Sequence, residues 1–412
     1  MTPHASLPRL FGDAFATDPE PAYRALRTAG PVAWAEIAPG VYALVVTDHR
    51  AAVDLLTDPD TYSKDSRRWA ALTAGQVPPD SPVLALMAHR PNLLYADGPE
   101  HRRLRGALED CLARIDTHRL REITRVHAGN LIEHLAPAGH AELMAQFADV
   151  LPLLVFADLL GCPPSLAARM VDACHGIINA DLGAQRAAAD FAACLGELVH
   201  LKKTSPGPDL SSWLLDHPHG LNDTEVVDQL FCTVGAGTIP TAAWIASGLE
   251  LLLHDHTYAG NLTAGSVTVR RALEQVLWTR SPMANFSVHF ARHDTHLHRV
   301  PVPAGVPVLI SHAATGTDPA LPTGLGHDNR SHLAWSAGPH RCPATSQAGA
   351  IAQAALETLL DRLWDLRPTG APAPNRPGPF HQCPAALHVA FRPRQADNAA
   401  PAHSATRIGG TA

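Results

Sequence analysis

From Glu100 to about Asn261, apolar positions recur at helical spacing almost without interruption. The breaks are short, such as Cys162-Pro163-Pro164 and Ser205-Pro206-Gly207-Pro208. Further helical stretches run from Val267 to Arg280 and from Thr345 to about Trp364. Elsewhere the period shortens. Val32 to Val46 alternates apolar and small residues around Pro39-Gly40, which predicts a hairpin. Asn285 to His298 is strand-like, and Val300 to Ile310 is a turn entering a strand. Pro3 to about Glu20 is expected to lie extended along the surface, and Ala314 to Ser331 to be loop. Ala371 to Pro379 is proline-rich, and Gln395 to Ala412 is small and polar. The pattern predicts a mainly α chain with a minor β part: one domain over residues 1–394 and a disordered tail over 395–412.

Composition narrows the function classes. The 412 residues carry a formal net charge of -7 and no basic block, which argues against nucleic acid as the main partner. The densest basic cluster, Arg102, Arg103 and Arg105, is the candidate patch for a small acidic redox protein. Met1 to Leu10 lacks the charged-then-apolar order of a secretory signal. The apolar stretch Ala141–Gly161 is broken by Asp149, Pro152 and Asp158, so it reads as buried helix and no membrane span is expected. Seven cysteines without metal-type spacing fit a reduced, cytoplasmic chain. Asp294, His296 and His298 would share one face of a strand, yet no backing ligand motif accompanies them, and an exposed hairpin is the expectation. Walker, dinucleotide-glycine and His-Glu-x-x-His motifs are absent.

The segment that carries chemistry is His332-Leu-Ala-Trp-Ser-Ala-Gly-Pro-His-Arg-Cys-Pro-Ala344. Gly338-Pro339 forms a turn, and Cys342 stands just ahead of an apolar-periodic helix. Unpaired backbone N–H groups at that helix start favour a thiolate. The order of Trp335, Gly338, His340 and Cys342 resembles the ligand loop of the cytochrome P450 family, with Ala344 where the family usually has glycine. The resemblance implies a single P450-like domain around a buried haem b, with Cys342 as axial ligand to the iron. A thiolate on iron pushes electron density toward oxygen and favours O–O cleavage. Asp97 to Arg105 resembles the family helix that carries a His and an Arg four apart, placing His101 and Arg105 on one face toward the haem propionates. His340 is placed to join them. Pro303 to Ser311, followed by Asp318-Pro319, also fits the family order.

Three departures from the family pattern stand out. The long central helix of the family carries Ala-Gly, an acid and a threonine that relay protons. Here the segment is Ala236-Gly237-Thr238-Ile239-Pro240-Thr241, with Ile239 for the acid and Pro240 at the alcohol position. Thr241 lies one residue further, about 100° round the helix, and it, a water at Pro240 or the substrate itself is the expected replacement for the acid–alcohol pair. Pro240 cannot donate to the carbonyl of Ala236, which opens the helix there and leaves room for a water. Second, Glu274-Gln-Val-Leu277-Trp278 keeps the family's glutamate but has leucine where its arginine partner belongs, as in a minor actinobacterial group. Glu274 then needs another donor, with Arg271, Arg280 or a residue of the Ala314–Ser331 loop as candidates. Third, His289 stands where many members carry a propionate-binding arginine.

The resemblance places substrate contacts in three segments: Ser63 to Leu94, Ala236 to Thr241, and Ala284-Asn285-Phe286, with Asn285 the polar group of the last. The implied function is oxidation of a small-molecule or peptide substrate, by monooxygenation or oxidative cross-linking. Electrons would come from a separate ferredoxin and ferredoxin reductase, since no flavin or iron–sulfur segment is visible. The altered relay also fits a haem-binding scaffold or recruitment protein with little turnover. Turnover with a surrogate redox pair separates the two.

Overall fold

The computed structural model describes residues 7–178, 184–254, 266–321 and 329–394. Its axis is the central helix Asp223–His254, about 48 Å long at the usual rise. Such an apolar helix is stable in water only when other helices enclose it. Its N-terminal half packs with Gly98–Ala113 and Ala184–Thr204 around Leu104, Phe191, Leu198 and Leu230. Its C-terminal half packs with Thr117–Leu135, Val150–Leu159, Ser266–Thr279 and Thr345–Arg362 around Phe147, Leu249, Leu273 and Leu356. Among the described residues this helix alone is long and apolar enough to cross a membrane, and 56% of that window is buried inside the domain. One helix thus belongs to both apolar clusters, which makes the helical part a single unit.

The β part is a five-stranded sheet and two small ones. The five strands are β1 (Val32–Ala38), β2 (Val41–Val46), β3 (Tyr62–Ser63), β5 (Asn285–Ala291) and β8 (Pro307–Ser311), in the order β1-β2-β8-β5-β3. The hairpin predicted around Pro39-Gly40 is β1–β2, turned by Gly40 at φ 72°. Strand β3 runs antiparallel to β5, with Tyr62 opposite Ala291 and Ser63 opposite Phe290. Strands β6 (Thr295–Leu297) and β7 (Val300–Val302) form a second hairpin whose turn residues, His298 and Arg299, are both left-handed. The histidine-rich segment is therefore a hairpin, with His298 Nε2 2.8 Å from Asp54. The third sheet joins β4 (His140–Glu142), β9 (Arg367–Pro368) and β10 (His388–Ala390).

Several expectations are corrected. The stretch expected to be extended up to Glu20 contains the helix Asp13–Thr17, and Glu20–Ala29 follows as a second helix. Strand β4 interrupts the supposedly all-helical region because it finds a partner near the C-terminus, with Ala141 opposite Val389. The expected loop from Ala314 begins inside a helix, His312–Gly316, capped by the Ser311 hydroxyl. The expected tail, 395–412, lies outside the described residues.

Glu274 is paired by a residue other than the three candidates. Arg271 is exposed, and Arg280 is paired with Glu250. The partner is His332, whose Nε2 lies 3.1 Å from Glu274 Oε1 and whose side chain is 1% exposed. The Trp278 ring stands edge-on to His332 at 5.5 Å, and its indole N–H donates to the Asn329 carbonyl at 3.0 Å. The helix Ser266–Thr279 is thus tied to the start of the cysteine loop by an imidazole where the family uses a guanidinium. Replacing His332 by Leu leaves a mostly buried carboxylate without its partner and should cost about 3 kcal/mol in urea unfolding. In a Glu274→Gln background the same replacement should cost far less, and equal costs in the two backgrounds would refute the pairing.

Candidate functional site

The cysteine loop is shaped by two backbone constraints. Gly338 sits at φ +64°, where a Cβ would lie 2.0 Å from the Leu56 carbonyl oxygen, so only glycine fits. The Cys342 N–H donates to the Trp335 carbonyl at 2.9 Å, closing the loop just before the helix Thr345–Arg362. The Trp335 ring meets Trp244 of the central helix edge-on at 5.3 Å, which ties the loop to that helix. Cys342 is half-buried. Burial raises the pKa of its thiol, while the Ala344 N–H hydrogen-bonded to it, Arg105 and Arg341 act in the opposite direction.

Across from the loop, the central helix runs through Pro240 without ending. Ala236 is exposed there, and Cys232, Ile239 and Pro240 are half-buried beside it. These four share one helical face. Gly237 faces elsewhere: a Cβ on it would lie 2.2 Å from Phe156 Cζ, so its smallness serves helix packing. The two threonines also lie off this face. Thr238 donates its hydroxyl to the Val234 carbonyl at 2.8 Å. Thr241 is 3% exposed and sits about 140° round from Ala236.

Basic side chains converge on the space between these walls. His101 and His340 stack at 3.9 Å between ring centroids, and His101 Nε2 and His340 Nδ1 are buried without a hydrogen-bond partner. Arg105, one turn beyond His101, is paired with Glu109 at 2.7 Å and lies close enough to act on His101, His340 and Cys342. His289 is buried on β5, its Nδ1 2.5 Å from the Ser287 carbonyl. Burial holds all three imidazoles below their ordinary pKa, His101 at about 4 and His289 and His340 well below the usual range. Of the Arg102–Arg105 cluster, Arg103 is paired with Glu225, and Arg102 is exposed.

The segment Ala284–Phe286 divides. Asn285 is fully buried and its Nδ2 donates to Tyr23 Oη at 3.1 Å and to the Pro379 carbonyl at 2.7 Å. This corrects the expectation of Asn285 as a substrate contact. Alternation along β5 turns it into the layer between the two ends of the chain. Ala284 is buried in the same apolar cluster. Phe286 packs on the cluster of Ala284 and Phe380, half-buried against Phe380 at 5.7 Å and 6.0 Å from Lys64 Nζ. Lys64 falls in the Ser63–Leu94 segment expected to border the substrate, but sequence reasoning did not single it out as a basic group of the site.

Buried imidazole nitrogens without partners suit an acceptor-rich anion, and a cysteine sulfur beside them suits a soft metal. Haem meets both demands through its propionates and its iron, so the class defined here is a haem-thiolate protein. No protein-family model matches the chain. Cytochrome P450 monooxygenase PikC of Streptomyces venezuelae is 30% identical over 372 residues, 86% of this chain and 86% of its own. The 2-hydroxy-5-methyl-1-naphthoate 7-hydroxylase of Streptomyces carzinostaticus is 26% identical over 357 residues, 83% of this chain and 87% of its own. The solved structure of testerone-bound CYP154C4 from a Streptomyces species superposes with a TM-score of 0.84 at 27% identity, covering 94% of this chain and 98% of that one. The chain belongs to the cytochrome P450 family, oxidoreductases that hold haem through a cysteine thiolate.

His312 provides a test of the buried basic cluster. It is 3% exposed, its Nε2 lies 3.2 Å from Ser287 Oγ, and burial, aided by Lys64, lowers its pKa from 6.5 to about 4. Between those values the unfolded chain binds a proton that the folded chain does not, so stability is lost as pH falls from 6.5 to 4. One such group contributes a slope approaching about 1.4 kcal/mol per pH unit. Urea unfolding from pH 6.5 to 4.5 should show a shallower slope for His312→Gln by roughly that amount. An unchanged slope would remove His312 from the cluster.

Proposed function

We propose that this chain is a haem-thiolate monooxygenase of specialised metabolism that holds haem b through Cys342 and oxidises an organic small molecule or peptide. The observation that carries the reading is the gathering of Cys342, Arg105 and the unpartnered, stacked imidazoles of His101 and His340, with Cys342 close enough to act on Cys232 of the central helix. Haem, when bound, supplies oxygen activation and oxidising power. The protein's own groups do the rest. The Ala344 N–H steadies the Cys342 thiolate, and Trp335 and Gly338 hold its loop. His101, Arg105 and His340 receive the propionates, whereas His289, whose Nδ1–H is spent on the Ser287 carbonyl, borders them without a free N–H. Phe286 and the residues after Ser63 border the substrate. Ferredoxin and ferredoxin reductase deliver electrons in the cytoplasm, and Arg102 remains exposed for such a partner. The Glu274-Gln-x-Leu277-Trp278 subgroup accords with His332 as the partner of Glu274.

Proton supply is where this chain differs. Ile239 and Pro240 face the site without an ionisable or hydroxyl group, Thr238 is bonded within its helix, and Thr241 is buried off the face. Protons then come from water beside the Ala236 carbonyl, which Pro240 leaves without its helical donor, or from the substrate. This wall also favours a second reading, oxidative coupling of a substrate that brings its own phenol or imidazole. The scaffold alternative gains nothing from relatives named as hydroxylases and monooxygenases.

Two experiments test the proposal. Reduced protein with carbon monoxide should show the far-red-shifted Soret band of thiolate-bound haem, and Cys342→Ala should abolish it. A band that survives the replacement would discard Cys342 as ligand. Restoring the family pair with Ile239→Asp and Pro240→Thr should change coupled turnover by less than threefold. A gain of tenfold or more with unchanged product, about 1.4 kcal/mol off the barrier, would show instead that the native relay is defective.

A further inference from the structure

Lys64 stands where the strand register puts it beside His289. Strand β3 pairs Tyr62 with Ala291 and Ser63 with Phe290, so the next residue, Lys64, faces His289. Facing residues of an antiparallel pair project to the same side of the sheet. The placement is locked by Asp97, which accepts the Lys64 N–H at 3.0 Å, the Ser63 hydroxyl and the Arg292 guanidinium at 3.2 Å. Lys64 is 5% exposed, and its ammonium makes no hydrogen bond to a carboxylate among the described residues. It lies close enough to His289, His340, His101 and His312 to act on each of them. Burial lowers its own pKa to about 7, the mark of an ammonium lacking a close counter-charge.

The neighbouring groups leave a vacancy in charge. His289 is buried and neutral, its Nδ1–H is spent on the Ser287 carbonyl, and Arg105 is engaged with Glu109. His289, at the place of a family arginine, donates no positive charge. A carboxylate arriving here meets the unpartnered imidazoles of His101 and His340 and, beside Arg105, the buried ammonium of Lys64.

We propose that Lys64 binds a haem propionate, supplying from β3 the positive charge that His289 does not supply from β5. The inference rests on the haem reading above. The other source of a carboxylate in this space is the substrate, and the experiment distinguishes them.

The test is the rate of haem transfer from the ferric holoprotein to excess apomyoglobin, for wild type, Lys64→Met, Lys64→Gln and Lys64→Arg. Loss of a charge-assisted bond should make haem leave about ten- to a hundredfold faster from the Met and Gln variants. The Arg variant should stay within threefold of wild type. The same protein reconstituted with haem dimethyl ester, whose propionates carry no charge, should lose its haem at one rate whatever residue 64 is. Circular dichroism and the carbon monoxide band report whether each variant is folded and thiolate-ligated, so failure of Cys342 ligation would be visible in wild type alone. Should the Met variant not fold, the Gln and Arg variants decide the matter. Unchanged haem loss in the neutral variants overturns the proposal and leaves Lys64 to a substrate carboxylate. An equal acceleration with haem and its diester also overturns it, since the effect would then be packing.

Discussion

The carboxylate of Asp97 joins the parts of the site. An aspartate just before a helix usually accepts the helix's first free N–H groups. Here it makes no such cap. It binds the Ser63–Lys64 backbone corner and Arg292 at the end of β5, while its own carbonyl accepts the His101 N–H at 3.2 Å. The helix carrying His101 and Arg105 is thereby fastened to strands β3 and β5, which carry Lys64 and His289. Three segments far apart in the chain then present basic groups to one space. The cysteine loop enters the same frame through Leu56, whose carbonyl occupies the room that a Cβ on Gly338 would need.

The frame creates an electrostatic demand. The chain as a whole is acidic, at -7, yet the site interior is basic. Asp97 is already engaged, Glu109 is held by Arg105, and burial keeps the imidazoles neutral. A low-dielectric space lined by unpartnered imidazole nitrogens and a buried ammonium is costly, because each buried polar group has lost its water. A ligand with two carboxylates satisfies the donors and restores the lysine charge in one step. Binding energy of that kind adds to the stability of the fold, so on the proposed reading these groups would link folding to the presence of haem.

What was legible in the sequence was local in the chain. The order Trp335, Gly338, His340, Cys342 and the four-residue spacing of His101 and Arg105 depend only on a turn and a helix, and both are formed. The groups that were missed depend on pairings between distant segments. Lys64 becomes a site residue only because Ser63 lies opposite Phe290. Asn285 looked like a pocket contact until alternation on β5 and the approach of Tyr23 and Pro379 turned it inward. The partner of Glu274 was sought at Arg271, Arg280 or in the Ala314–Ser331 loop, whereas the fold brings His332, one residue past that loop. Strand β4 was invisible because its three residues are extended only by pairing with β10.

The helix wall completes the chemical picture. Of the residues on its open face, Ala236, Ile239 and Pro240 have no exchangeable side-chain proton, and burial pushes the Cys232 thiol up to about 12. A group with that pKa neither accepts nor releases a proton readily near neutrality. The Ala236 carbonyl, freed by Pro240, can accept a hydrogen bond but never donate one. If Lys64 is paired with a propionate, that carboxylate holds it as an ammonium and removes it from proton exchange as well. Under the proposed monooxygenase reading the proton source is mobile: a water ordered at the freed carbonyl, or an acidic group on the substrate. Specificity and reactivity are then coupled, because a substrate that fills the site without leaving space for water, and brings no proton of its own, would bind but turn over poorly.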